Sequence, residues 1–343
     1  MLKLKWLGLL AAFCGLNACA GLPPVSKAPT HRIAVAAGPE DMVLDTGTET
    51  PRLLISCADR RAGRGGWGGI LALDLATERV DTLERVGEPN DLAFFPHGIH
   101  LQWVNGGPKL YVIQHTQEAE GEESHAILRY RVGPTSLIYE MTYESPHFRS
   151  PNAVVARADG GFYVSNDSYK RGSLMEKVLK RKVSQLVHCT AEGNCRVVEE
   201  RVAYGNGALI QGDFLYQAAS RGNAIYRYRI TANGDLQEKT KLGKLKGPDN
   251  LRAFGEDLLV ACHPRPLAFL RHAKNAGQHS PSLICRISPA FGDPGLVQAS
   301  VRPIFYDDGE RISAAATAII FGENLYISQV FAPYIVRTKA ATD

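Results

Sequence analysis

The segment FFPHGIHLQW, residues 94–103, sets His97 and His100 three apart, and LYVIQH ends on a third histidine, His115. Free imidazoles titrate at about pH 6.5, so such a group suits a general base, a metal site, or a polar loop without chemistry. A second set of residues offers only oxygen. It comprises Glu40 and Asp41 in GPEDM, Asn152 in SPNAVV, Asn206 in GNGALI, and Asp249 and Asn250 in GPDNL. Carboxylates and amides favour a hard cation. Calcium takes about six to eight oxygens in a flexible shell, whereas magnesium insists on an octahedron and keeps its waters. Singly, each of these residues also suits a tight turn, where Asn, Asp and Gly dominate. Which reading holds depends on the elements that carry them.

Those elements repeat. A short hydrophobic strand introduced by a turn recurs six times, as TPRLLISCAD, GPKLYVIQH, GGFYVSND, GDFLYQAAS, GEDLLVACHP and GENLYISQVF. A second strand follows each copy, and its alternation in Ile127–Arg131 and Ile225–Arg229 is that of half-buried β structure. The one good helical candidate is Ser173–Val183. Six all-β repeats spaced by about 40–65 residues suit a six-bladed β-propeller with four strands per blade. An irregular sandwich would not need six copies of one hairpin. The propeller is expected over residues 35–340, with the repeated strands innermost and a central calcium site at one mouth. Each of the oxygen-bearing residues, like His97, lies near the start of a blade, before its hairpin, where separate blades converge.

With 343 residues, 45% apolar and 22% charged, the chain can bury a large core and is not disordered. The net charge of +4 includes Lys3 and Lys5, and no basic run is interleaved with aromatics, which excludes nucleic acid as a partner. Residues 1–20 read as an export signal whose apolar run, WLGLLAAFCGL, is too short to span a bilayer. Leu16-Asn17-Ala18-Cys19 has the form of a lipobox. Cleavage before Cys19 would give a lipid-anchored protein of the cell envelope, in the periplasm or on the outer membrane. Ala18-Cys19-Ala20 also satisfies the cleavage rule for soluble secretion. Residues 21–34 then form a Pro-rich spacer. Cys189 and Cys195 flank a short polar turn and suit a local disulfide in an oxidising compartment. Cys57, Cys262 and Cys285 lie in apolar runs as buried small residues, of which one pair could bridge. The basic stretch 168–188 reads as a solvated helix or as a lid contacting substrate or anionic lipid.

From GPEDM to YISQVF the chain resembles the paraoxonase/arylesterase family of six-bladed, calcium-dependent lactonases and esterases. The motifs PEDM, FFPHGI, GFYVSND, GNGALI, GPDNL and VACHP carry the likeness, in family order. The resemblance implies a catalytic calcium held by Glu40, Asn152, Asn206, Asp249 and Asn250. It implies a second, structural calcium on Asp41, the Ile99 carbonyl and an Asp that is Ala153 here. Loss of that charge predicts a much weaker second site. His97 and His115 match the histidine pair implicated in lactone hydrolysis, His97 as base and His115 fixing its tautomer. Calcium would act as the Lewis acid. A family histidine after ND is Ser168 here. His100 falls outside the match and reads as a partly exposed strand residue, and His263 as a pocket or packing residue. The expected substrate is a small lactone or ester. The rivals are a propeller enzyme of the gluconolactonase or strictosidine-synthase kind and a non-catalytic ligand-binding propeller of the envelope. The histidine pair argues against the first.

Overall fold

A computed structural model describes residues 21–61, 66–89, 92–117, 123–168, 182–289 and 299–341. Six consecutive sheets, five of four strands and one of five, form the blades of an all-β propeller. The innermost strands are Pro39–Asp45, Pro96–Val104, Pro151–Ala156, Gly205–Gln211, Pro248–Phe254 and Ala315–Phe321. Each packs against the innermost strands of both neighbouring blades, which closes the ring.

The repeated hydrophobic motif falls on the second strand of each blade, not on the innermost one as expected. Arg52–Ala58 and Asp257–Cys262 are buried along their whole length. A strand covered on both faces must be apolar throughout, so it gives the loudest repeat. Its tyrosines Tyr111, Tyr163, Tyr216 and Tyr326 are almost fully buried. Tyr111 and Tyr163 each donate the hydroxyl to a glycine carbonyl in a turn of the next blade, Gly160 at 3.1 Å and Gly234 at 2.9 Å. Burying such a side chain stabilises by roughly 1.5–3 kcal/mol. The core therefore lies between blades, as where Leu209 and Tyr216 of the fourth meet Leu251, Val260 and Ile287 of the fifth.

The ring closes through the chain termini. Thr30–Ala34, the end of the segment read as a spacer, pairs antiparallel with Tyr334–Lys339 and completes the sixth blade. The Cys189–Cys195 disulfide clips adjacent strands of the third blade, while Cys57, Cys262 and Cys285 are buried and free. The leader and most of the helical candidate 173–183, with much of the basic stretch 168–188, lie outside the described residues. No described helix is long and apolar enough to cross a membrane. One helix was not expected: Pro266–Lys274, between the second and third strands of blade five. Proline opens it, and Arg271, His272 and Lys274 sit in its last turn, where cations favour the helix dipole.

Candidate active site

Every innermost strand breaks register with its neighbour close to its start. The breaks fall between Pro39 and Asp41, Pro96 and Ile99, Pro151 and Ala153, Gly205 and Ala208, Pro248 and Leu251, and Ala315 and Ala318. A bulge leaves a residue unpaired and re-aims its side chain. The residues so released are Glu40, His97, Asn152, Asn206 and the pair Asp249–Asn250, with Thr317 in the sixth blade. Proline is tolerated at these first-strand positions because it owes the ladder no N–H there. Two glycines permit the crowding. A Cβ on Gly98 would lie 2.3 Å from the Asn152 carbonyl oxygen, and one on Gly207 would lie 2.6 Å from Asn250 Cα.

A cavity of about 420 Å³ opens over the bulges, and Glu40, His97, Asn152, Asn206 and Asp249 all line it. Asn250 does not. It is buried below, its Nδ2 donating to Thr317 Oγ1 at 3.0 Å. Three oxygens of this ring, Glu40 Oε2, Asn152 Oδ1 and Asn206 Oδ1, are buried without a hydrogen-bond partner. The Asn206 amide is oriented by its Nδ2, which donates to Ser220 Oγ at 3.2 Å. Leaving a buried acceptor unpaired costs roughly 1–3 kcal/mol. Three on one cavity mark a place suited to positive charge. Among the described residues no three of His, Cys, Asp and Glu gather as a metal cluster. The donor set is instead amides and two carboxylates, which suits calcium and not zinc.

The two carboxylates differ in environment. Burial pushes the Glu40 carboxyl up, but His97, Arg60 and Arg252 outweigh it and hold it at about 2. Burial raises Asp249, opposed by His263 and reinforced by the charge of Glu40. His263 Nε2 lies 2.8 Å from Asp249 Oδ2, and its ring stacks on Phe269 with centroids 4.4 Å apart.

His97 and His115 meet. His97 Nδ1 is 2.8 Å from His115 Nε2, and His97 Nε2 is 3.4 Å from Glu40 Oε1. Beyond them, His115 Nδ1 lies 2.9 Å from Nδ1 of His125. His125 sits directly across the hairpin from His115 in strand register, so three imidazoles run in series. Sequence reasoning missed it because cross-strand register is not visible without the turn. His100 is elsewhere: its Nδ1 accepts the Ala156 N–H at 3.1 Å. Burial and the Arg252 charge hold His100 down to about 3, so it stays neutral.

A profile of the arylesterase family matches residues 43–336. The chain belongs to the arylesterase family. Human serum paraoxonase/lactonase 3 is 24% identical to it over 333 residues, covering 92% of this chain and 90% of that protein. Among solved structures, a luciferin-regenerating enzyme superposes with a TM-score of 0.59 at 13% identity, covering 91% of this chain and 95% of its own. A gluconolactonase from Xanthomonas campestris gives 0.58 at 13% identity, covering 92% and 91%. Those two likenesses show the propeller fold.

In this arylesterase-family chain the cavity has two kinds of wall. Phe269 and Leu270 of helix Pro266–Lys274 join Val330 and Phe331 as an apolar side. Asp167, Ser168, Tyr204 and Arg221 supply polar lining. Asp167 accepts from Ser150 Oγ at 2.5 Å and Ser168 Oγ at 2.6 Å. Its charge, together with burial, pushes the Tyr204 hydroxyl well above its ordinary range. None of Arg60, Tyr204 and Arg221 stood out in the sequence, because each comes from a connection between strands and not from a repeat, and Phe331 closes the last repeat without a signal of its own. Asp41 and Ile99 are not on the cavity, and Ala153 packs in an apolar cluster with Val155 and Tyr163.

Proposed function

We propose that the protein is a calcium-dependent hydrolase of lactones or carboxylic (aryl) esters. The observation that carries this reading is the cavity floor, where three buried oxygens without a hydrogen bond, on Glu40, Asn152 and Asn206, share the lining with the His97 imidazole. Family membership supports a hydrolase, and the human relative carries the name paraoxonase/lactonase. Glu40, Asn152, Asn206 and Asp249, with Asn250 beneath, would hold calcium. Their unsatisfied oxygens fit such an ion. Bound there, calcium supplies Lewis-acid polarisation of the acyl carbonyl and stabilises negative charge on its oxygen.

The histidines supply the proton chemistry. For His97 Nε2, on the Glu40 side, to accept a proton from water, Nδ1 must carry one and donate it to His115 Nε2. His115 then donates from Nδ1 to His125 Nδ1. This one-way run keeps all three rings neutral and fixes each tautomer. Protonated at Nε2, His97 is a cation 3.4 Å from Glu40, whose carboxylate stabilises it. The same nitrogen returns the proton to the leaving oxygen. Phe269, Leu270, Val330 and Phe331 receive the apolar part of the substrate.

The disulfide agrees with export to an oxidising compartment. Anchoring through an acylated Cys19, with the 168–188 stretch near lipid, belongs to the same proposal. One preparation tests the enzyme reading: calcium content is measured, then hydrolysis of a lactone and aryl-ester panel before and after chelation. Activity lost on chelation and restored by calcium supports it. Full activity in chelator, or none on the whole panel with calcium bound, rejects it.

A further inference from the structure

The family resemblance implies a second calcium on Asp41 and the Ile99 carbonyl, below the cavity. The residues present do not fit one. Unlike Glu40, Asp41 has no orphaned oxygen. Its Oδ2 accepts the Ile99 N–H at 2.8 Å, and its Oδ1 accepts the Met42 N–H at 2.9 Å. Thr317 Oγ1 lies 2.9 Å from the same Oδ1, and Arg252 Nη2 forms a close ion pair with it. That Nη2 also faces the Ile99 carbonyl oxygen at 3.4 Å, so one guanidinium nitrogen touches both implied calcium ligands. The rest of the group is held as well: Nε donates to the Met42 carbonyl at 2.6 Å and Nη1 to the Leu251 carbonyl at 2.7 Å. The third implied ligand position is Ala153, which has no donor and lies among apolar neighbours.

We infer that Arg252 is a covalently attached replacement for the second calcium, and that the protein takes up one metal ion only. A calcium on Asp41 would have to displace a guanidinium that already neutralises the carboxylate. Two cations cannot share one buried monoanionic carboxylate without severe repulsion. Arg252 also does what a structural ion does. It extends from the innermost strand of blade five to those of blades one and two, tying three blades across the axis. Its side chain is 13% exposed and that of Asp41 3%, so the pair is poorly screened. Arginine suits this position because its planar fork serves several oxygens at once and never loses its charge. In the register of the innermost strand, Arg252 is two residues beyond the Asn250 position and so points down the channel, away from the cavity.

The count of one ion rests on the calcium reading of the upper site, whereas the role of Arg252 does not. The full-length protein is saturated with calcium, freed of loose ions by gel filtration, and its metal content measured. One calcium per chain is expected; two would overturn the inference. In parallel, Arg252→Met leaves Asp41 buried and unpaired. In chelator, where no free ion can take the place of the guanidinium, it should lower Tm by roughly 5–8 °C. A wild-type Tm in chelator would overturn it. No calcium at all, with Arg252→Met still destabilised, would keep the guanidinium assignment and remove the proposed catalytic ion. If Arg252→Met does not fold, the wild-type metal count decides, together with Arg252→Lys, which keeps the charge but loses the fork and should melt below wild type.

Discussion

The substitution His97→Gln separates proton transfer from everything else the cavity does. Glutamine keeps a donor that can reach His115 Nε2, now 2.8 Å from His97 Nδ1, so no buried acceptor is orphaned and the fold should hold. It cannot accept and release a proton at neutral pH. A positioned acid–base group contributes on the order of 10²–10⁴ in rate, or about 2.7–5.4 kcal/mol of barrier. The kcat for a lactone should fall by that factor, with bound calcium and Tm unchanged, because imidazole is outside the proposed oxygen set. His115→Gln should cost roughly tenfold, since a glutamine oxygen still accepts from His97 Nδ1 but orients it less firmly. His263→Gln is the control, for His263 is the other imidazole on the cavity wall and is engaged by Asp249. Lactone turnover by His97→Gln equal to wild type would remove the histidine series from the mechanism. If His263→Gln then lost activity with its calcium in place, the base would be His263.

Asp249→Ala should release calcium and lower Tm together, because ligands from separate blades converge only in the folded ring; full metal content in the variant would refute the ligand set. Cys19→Ser should move the protein from membrane to soluble fractions, whereas wild-type protein beginning unmodified at Gly21 would decide for soluble secretion. His188 is held down to about 4 by burial and the Arg196 charge, against about 6.5 in the unfolded chain. Its contribution to stability is therefore complete above about pH 6.5 and is lost as pH falls toward 4, since only the unfolded chain takes up the proton. His188→Gln should flatten that part of the urea-midpoint profile; a slope parallel to wild type would exclude His188 as its source.

What could be read from the sequence follows the strength of local constraint. The second strand of each blade is buried on both faces, so its apolar run survives in six copies and announces the propeller. The bulged starts of the first five innermost strands also leave a local trace, because proline or glycine precedes the re-aimed side chain there, whereas the sixth, at Ala315–Ala318, does not. Pro39-Glu40, Pro96-His97, Pro151-Asn152, Gly205-Asn206 and Pro248-Asp249 are five instances of one backbone solution. The opposite order, with the repeated strand innermost, was the natural mistake: hydrophobicity reports burial, and the strand at the axis is more polar than the one behind it. His125 was hidden because its partner is set by hairpin register. Thr30–Ala34 was hidden because the strand it completes is contributed by the other end of the chain. Arg252 reads in isolation as an exposed strand cation, and only the ring brings Asp41 beneath it.

The two levels of the channel follow different electrostatic rules, and this has a consequence for how activity and stability are linked. At the upper level, Asn152 Oδ1 and Asn206 Oδ1 are buried without a hydrogen bond, each at a cost of roughly 1–3 kcal/mol, and Glu40 Oε2 has only the Arg60 guanidinium at 3.6 Å. A cation bound there would offset this cost by an amount that grows with its concentration, about 2.7 kcal/mol at a hundredfold excess over Kd. At the lower level Asp41 is satisfied by groups of the chain itself, and no ion is needed. With calcium at the proposed upper site, the mouth would respond to the ion, while the tie across the axis is permanent. Removing calcium should loosen the bulges that carry the ligands and His97 before it opens the blades behind them. On the proposed reading, such an enzyme would lose its catalytic geometry in a calcium-poor compartment without losing its fold, and would recover it on reaching a calcium-rich one.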